Sequence, residues 1–365
     1  MRSSSLRRLC LGGLATAFIL VALSFFFVHQ RSESDSLAQM ARRDLASARQ
    51  GYEALEAADT RLLSASAELL MQDEALRSAF AARDRARLLG LAEPIFSGLR
   101  ARYNITHFYF HEPPPAATCF LRVHSPRLFG DKVARSTYAA AVASGGFGTG
   151  KELGQTAFAL RAVHAWHSQD GKRVLGYLEL GEEIGHFLGQ LKAQTGDDYA
   201  LLLDKRKLDS VVWMHMRNAA GQPNDWGARP LYVLAQDTGV VVRDLEWNGS
   251  LDRLPEEGRV LGMDWANGVC LMRGVFPVED AMGQRAGAVL MARDMTALLR
   301  HSRARHVLSV ALVLVLTLGL GILAGWLLAR TDPAPADPSA PGDWRQVFGP
   351  LPPAIGRAWR EFWAG

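Results

Sequence analysis

Arg122 and His124 stand two apart in the run Phe120-Leu121-Arg122-Val123-His124, and Tyr177 and Glu179 stand two apart in Lys172–Leu180. Alternate side chains of a β-strand share a face. Each pair therefore projects to one side, while Leu121, Val123, Leu178 and Leu180 project to the other. Arg161 lies mid-run in the otherwise apolar stretch Ala157–Trp166, and Asp131 follows the first run. A charge taken out of water is costly unless paired, so Arg122, Asp131, Arg161 and Glu179 need partners. Two readings stay open. One is an internal ion-pair network that holds the fold together. The other is a pocket where arginine's planar fork of donors grips a carboxylate or similar small anion, walled by Tyr109, Tyr177 and Trp166. With Glu179 and Asp131 facing inward instead, an ammonium group would be held, and an amino acid would use both signs. The candidate ligand-binding set is Tyr109, Arg122, His124, Asp131, Arg161, Trp166, Tyr177 and Glu179.

Other chemistries find less support. Gly145–Lys151 (GGFGTGK) touches the phosphate-loop pattern, but Glu152 stands where a magnesium-binding Ser or Thr is required. Imidazole is the commonest metal ligand, yet the spacing of His107, His111, His124, His164 and His167 matches no recognised metal site. No metal and no cofactor are expected. There is no G-x-S-x-G and no carboxylate pair framed for a substrate, so no catalysis is expected either. Cys10, Cys119 and Cys270 lack zinc spacing; the last two are expected to be buried and unpaired. Net charge is +4, carried by scattered arginines without a basic helix or aromatic RNA-type motif, which argues against a nucleic-acid partner.

The elements that must position these residues follow from periodicity. From about Gln30 to Leu91 the chain is rich in Ala, Leu, Arg and Glu, with no proline. Leu37, Met40, Leu45, Tyr52, Leu55, Leu62, Leu69 and Leu76 form a loose helical stripe. Strand-like runs then alternate with turn signals: Thr106–Phe110, Phe120–His124, Gly150–Gly154, Ala157–Trp166 and Lys172–Leu180, with a helix over Asp131–Ser144. That order fits a PAS-like α+β module. Helix Glu182–Ala193 leads into a weaker second round. It comprises strand Tyr199–Leu203, helix Lys205–Met216, and strands Val240–Arg243, Val269–Val278 and Ala286–Arg293. Two uncharged apolar runs, Leu9–Val28 and Val307–Leu328, bracket all this. Each is long enough to cross the ~30 Å hydrocarbon core as a helix. Arg2, Arg7 and Arg8 precede the first run, whose end is too bulky for a cleavage site, so an uncleaved anchor is expected with both termini cytoplasmic. Arg300, Arg303 and Arg305 before the second run oppose that orientation, but long loops translocate largely regardless of charge.

The segments ITHFYFHEPPPAATCFLRVHSPRLFGD, GKELGQTAFALR and LGYLELGEEIGHFL resemble the double Cache sensory domains of bacterial chemoreceptors and sensor kinases. The likeness is to the subgroup described as a double sensory domain of two-component kinases. It is strong over residues 103–205 and weaker to about 300. The resemblance implies a long N-terminal helix, a membrane-distal module that holds the ligand, a membrane-proximal module that relays, and a homodimer.

The expected layout is an α+β fold flanked by two transmembrane helices. Its parts are an N-terminus (1–8), a first span (9–28) and an extracytoplasmic double Cache domain (29–306). That domain comprises a long helix (30–91), a distal module (92–195) and a proximal module (196–300). A second span (307–328) and a cytoplasmic tail (329–365) follow. No output domain is recognisable in the tail, so a separate membrane kinase or chemoreceptor is the expected partner. After the proline-rich stretch Pro333–Pro341, residues Ile355, Ala358, Trp359, Phe362 and Trp363 share one helical face, suited to the inner surface of the lipid bilayer or to a partner protein. The function expected is a membrane-anchored sensor of a small polar metabolite, either a carboxylate or an amino-acid-like molecule. The alternative is a non-signalling scaffold, or a degenerate receptor with a structural polar core.

Overall fold

The computed structural model describes residues 2–154, 158–219, 221–222, 226–239, 242, 245–266 and 268–331. The amphipathic tail helix and, Val242 apart, the strand expected at Val240–Arg243 lie outside the described residues. The chain divides into two units, Met1–Gln30 with Arg305–Gly365, and Arg31–Ala304.

The larger unit begins within α1 (Arg2–Leu70), followed by α2 (Glu74–Ala81) and α3 (Arg85–Tyr103). The sequence suggests one helix to Leu91; the structure breaks it twice, and aspartates mark both restarts. The Asp73 carboxylate accepts from Leu76 N at 3.0 Å, and that of Asp84 from Arg87 N at 3.0 Å. Such caps satisfy otherwise orphaned backbone donors. The buried stripe of α1 also differs from the one expected. It runs through Ala41, Leu45, Ala48, Tyr52, Leu63 and Ala67, while Leu69 is exposed. A helix turns every ~3.6 residues, so a seven-residue repeat drifts off a fixed face.

Among the described residues ten strands form two sheets. The first holds β1 (His107–His111), β2 (Cys119–Arg122), β3 (Phe147–Leu153), β4 (Phe158–His167) and β5 (Val174–Glu183), in the order β2-β1-β5-β4-β3. Helix α4 (Ser136–Ser144) precedes β3 and packs on it. Gly148 permits this: a Cβ there would lie 2.2 Å from the Thr137 carbonyl oxygen. After α5 (His186–Thr195) comes the second sheet, with α6 (Ser210–Ala219) inserted. Its strands are β6 (Asp198–Asp204), β7 (Tyr232–Asp237), β8 (Arg259–Ala266), β9 (Val269–Glu279) and β10 (Arg285–Asp294), in the order β7-β6-β10-β9-β8. All pairings are antiparallel. The fold is thus α+β, two antiparallel Cache-like modules of one topology. Two of its strands escape the sequence pattern. In β8 the alternation is broken at Gly262 (φ +145) by a register shift, and β7 is a short polar-ended run.

One core joins both modules to the helices. Phe108, Phe110, Leu121, Leu160, Leu178 and Leu180 from the first sheet, and Leu201, Leu203, Phe276, Val289 and Met291 from the second, pack with Leu45, Tyr52, Leu63, Phe80 and Phe96. Each fully buried large apolar side chain contributes about 1.5–3 kcal/mol. The other face of each sheet has its own filling. Cys119 and Cys270 are buried and form no disulfide with each other.

The last helix is α7 (Thr296–Thr331). Among the described residues its part Thr296–Trp326 is the one helix long and apolar enough to cross a membrane. The sequence pointed to two such helices. The run Leu9–Val28 lies in α1, with part of its side chains outside those described.

Candidate ligand-binding site

The first sheet turns its second face toward α4 and the loop before it. Odd-numbered residues of β1, of β4 up to Ala165 and of β5 from Tyr177 point there. Tyr109 is paired in register with Glu179, and His111 with Tyr177. Glu179 is fully buried and is the hub. It accepts from Arg135 Nη1 at 2.8 and 3.0 Å, from His111 Nε2 at 2.8 Å and from Arg161 Nη1. Burial alone would raise its proton affinity, but the Arg135 and Arg161 charges and the His111 bond outweigh it, holding the carboxyl well below the usual range. Burial lowers His111 too. A carboxylate only accepts, so neutral His111 carries its proton on Nε2.

Around this hub sit the other polar groups. Arg135 Nη2 reaches the Tyr109 hydroxyl at 3.3 Å. Arg122 holds Asp131 with two bonds of 2.8 and 2.6 Å and donates to the Leu128 carbonyl at 2.8 Å. Glu152 of β3 lies 3.5 Å from Arg161 Nε through one oxygen. Its other oxygen accepts from Ser136 Oγ at 2.7 Å and Thr137 N at 2.8 Å, so it caps α4. His124 Nδ1 accepts from Phe108 N at 3.2 Å, and its ring stands 4.6 Å from Tyr109. Burial, then the Arg161 charge, lower His107 to about 2; burial lowers His124 to about 4. Tyr138 of α4 meets Tyr177 edge-on at 5.0 Å. Three guanidinium groups converge on the Tyr109 ring: Arg135 at 4.7 Å, and Arg122 and Arg161 at 5.7 Å each.

Seven of the eight residues singled out from sequence lie on this side: Tyr109, Arg122, His124, Asp131, Arg161, Tyr177 and Glu179. Trp166 lies on the opposite face. It packs on Phe80 and Phe110, and its Nε1 donates to the Met71 carbonyl at 3.1 Å. Strand parity separates it from Arg161, five residues earlier. Sequence reasoning missed Arg135 and Glu152 and did not select His111. Arg135 falls within the helix expected from Asp131, which begins only at Ser136 and leaves it in an irregular segment, and Glu152 lies in the expected strand Gly150–Gly154, where no apolar alternation assigns a face. His111 carried the signal, sharing its parity with Tyr109.

Among solved structures, the chain is similar in fold to the periplasmic domain of Vibrio cholerae LuxQ. The identity is 12% and the TM-score 0.40, over 69% of this chain and 98% of that one. It is likewise similar to the sensor domain of the V. cholerae histidine kinase DctB, at 10% identity and TM-score 0.41, over 70% of this chain and 98% of that one. A third is the ligand-binding domain of the Campylobacter jejuni chemoreceptor Tlp3 in complex with L-valine, at 10% identity and TM-score 0.30, over 68% and 95%. No curated protein matches the chain. The profile of one family matches residues 39–222, half of the chain, and covers the whole distal site. The chain therefore belongs to the family described as the double sensory domain of two-component sensor kinases, a sensory and not a catalytic family.

Proposed function

We propose that the distal module binds a small metabolite bearing a carboxylate, and that the protein relays its occupancy to a kinase or chemoreceptor in the membrane. The observation that carries this reading is the meeting of three guanidinium groups at one tyrosine ring. Glu179 and Asp131 offset two of those charges, and Glu152 is half committed to capping α4. The formal charges balance, but Glu152 is held by the start of α4 and the Arg135 fork stays partly exposed, an arrangement that favours a ligand anion over an ammonium group. Arg135 is the natural first contact, since its side chain stays 25% exposed on a loop.

Membrane anchoring by two spans is part of the proposal. Besides α7, the first run of α1 exposes Ile19, Leu20, Phe25, Phe27 and Val28. Within the smaller unit, Ile19, Ala22 and Phe26 line one apolar cleft with Val310, Val313 and Thr317. Both termini are then cytoplasmic, the modules extracytoplasmic, and the working form a homodimer. A ligand shifts such a sensor only through unequal affinity for its two packings.

A second reading has its own support. Arg122 is fully matched by Asp131 and Leu128, as in a purely structural network.

The test is the melting temperature of the full chain in detergent against carboxylates, amino acids and amines. A ligand at a hundred times its Kd adds about 2.7 kcal/mol, a shift of a few degrees. The expected result is a carboxylate hit that Arg135→Ala abolishes without loss of helical and strand signal. A flat panel from a well-folded chain would favour the structural network.

A further inference from the structure

A second polar cluster lies away from the Glu179 network, where α1 passes the junction of β5 and α5. Asp59 of α1, Glu182 near the end of β5 and His186 at the start of α5 offer three ligand atoms, all within 4.8 Å of one another. Glu182 is fully buried, and neither of its oxygens has a hydrogen-bond partner among the described residues. A buried acceptor of this kind calls for a proton or a cation. The nearby cation on this face, Lys151, is engaged by Glu56, one turn earlier on α1.

The spacing of the three groups also admits a metal ion. His186 Nε2 stands 3.0 Å from Asp59 Oδ2 and 3.9 Å from Glu182 Oε2. Three donors ~2.1 Å from one tetrahedral centre lie ~3.4 Å apart, and the two separations straddle that figure. The His186 Nδ1 lies 2.7 Å from the Glu183 carbonyl oxygen. That bond places a proton on Nδ1 and aims Nε2 at the carboxylates, where it meets Asp59 Oδ2 at 3.0 Å; with a cation in place of the Nε2 proton this is the orientation of metal-ligating histidines. Glu182 and His186 are four apart, so strand end and helix start present them to α1 together.

We propose that Asp59, Glu182 and His186 form a binding site for a divalent transition cation of the zinc class. One imidazole with two carboxylates is a donor set for zinc, manganese or iron more than for calcium, which takes six or more oxygens. Two carboxylates and a neutral imidazole balance a +2 ion and leave a coordination position open to water. The bound ion ties α1 to the segment that links the two modules. This site is separate from the proposed carboxylate pocket and stands without it.

The untagged full chain, purified in detergent and stripped with a chelator, is titrated with ZnCl2, MnCl2 and CaCl2 by calorimetry, with melting curves in parallel. The expected result is one zinc per chain and a raised melting temperature. His186→Ala and Glu182→Gln should each weaken zinc by at least about 100-fold, beyond the 10–100-fold typical of losing an outer partner. His215→Ala, at an exposed histidine of α6, should leave it unchanged. Glu182→Gln keeps the side-chain shape and carries the test should His186→Ala fail to fold. No zinc binding, binding indifferent to both substitutions, or binding of calcium in preference to zinc would each overturn the assignment. The first outcome would leave Asp59 and Glu182 sharing a proton.

Discussion

The two modules thread five strands in the same order, yet they fill the face turned away from α1–α3 with opposite chemistry. In the distal module, the central pair β1–β5 sets Tyr109 opposite Glu179 and His111 opposite Tyr177. The corresponding pair in the proximal module, β6–β10, sets Ala200 opposite Leu290 and Leu202 opposite Ala288. Those four pack with Tyr232, Leu234, Trp247, Leu251 and Val275 into a closed apolar core. An apolar core gains by staying shut, whereas a network of arginines and carboxylates can exchange one internal acceptor for an external one. The difference supports the proposal that the distal module recognises the ligand and that the closed proximal one relays a displacement.

The sharpest way to break this contrast is to empty each centre in turn. Glu179→Ala strands Arg135 and Arg161 without their shared acceptor, and removing one partner of a buried ion pair costs about 3–5 kcal/mol. Leu290→Ala leaves a cavity in the proximal core and costs about 2–5 kcal/mol. Thermal unfolding of both variants in detergent measures these losses. Only the first should also abolish the ligand-induced shift; loss of that shift in Leu290→Ala would dissolve the division of labour.

Acid should distinguish the modules next. His107 and His124 are lowered to about 2 and about 4, whereas an unfolded imidazole titrates near ~6.5. In that interval the unfolded chain binds more protons, so the stability these groups contribute is complete above ~6.5 and is lost as pH falls toward their folded values. The slope is at most about 1.4 kcal/mol per pH unit for each histidine. Glu179, lowered well below the usual carboxylate range, contributes fully above the unfolded carboxylate value of ~4.3 and loses that contribution progressively as pH falls from there toward its lower folded value. Amide exchange near pH ~5 should show β1 and β5 losing protection before β6 and β10; equal loss would contradict the assignment.

The smallest effect expected is that of Tyr109→Phe. It removes the 3.3 Å bond from Arg135 and keeps the ring under the guanidinium groups, so stability should fall by about 0.5–1.5 kcal/mol. A larger drop in ligand affinity than in stability would place the hydroxyl in the pocket.

Much of the distal site is legible in the sequence because strands impose a period of two, and a charged residue inside an apolar strand announces its face. Arg161, Tyr177 and Glu179 come from that signal. The same parity, applied from Arg161, would have excluded Trp166. Irregular segments carry no such period, so Arg135 stayed hidden although it completes the hub. The Asp59, Glu182 and His186 cluster is invisible for another reason. Its members are brought together by the packing of α1 against the end of β5, a long-range contact that no local spacing encodes. The helix breaks at Asp73 and Asp84 were written in the sequence as capping residues, but the continuing apolar stripe masked them.

One contact bears on how the chain can be cut. At the outer strand of the distal sheet, the Lys151 carbonyl accepts from Ala281 N at 2.7 Å, in the turn between β9 and β10. Gly150 adopts φ +144 there, and a Cβ on it would lie 2.6 Å from the Ala281 methyl. The proximal hairpin thus covers an open sheet edge, the kind of surface that otherwise recruits strands from neighbouring molecules. Severed after α5, the distal module would expose that edge to its own copies and be prone to aggregate, so the two modules form one indivisible unit for expression and for crystallisation.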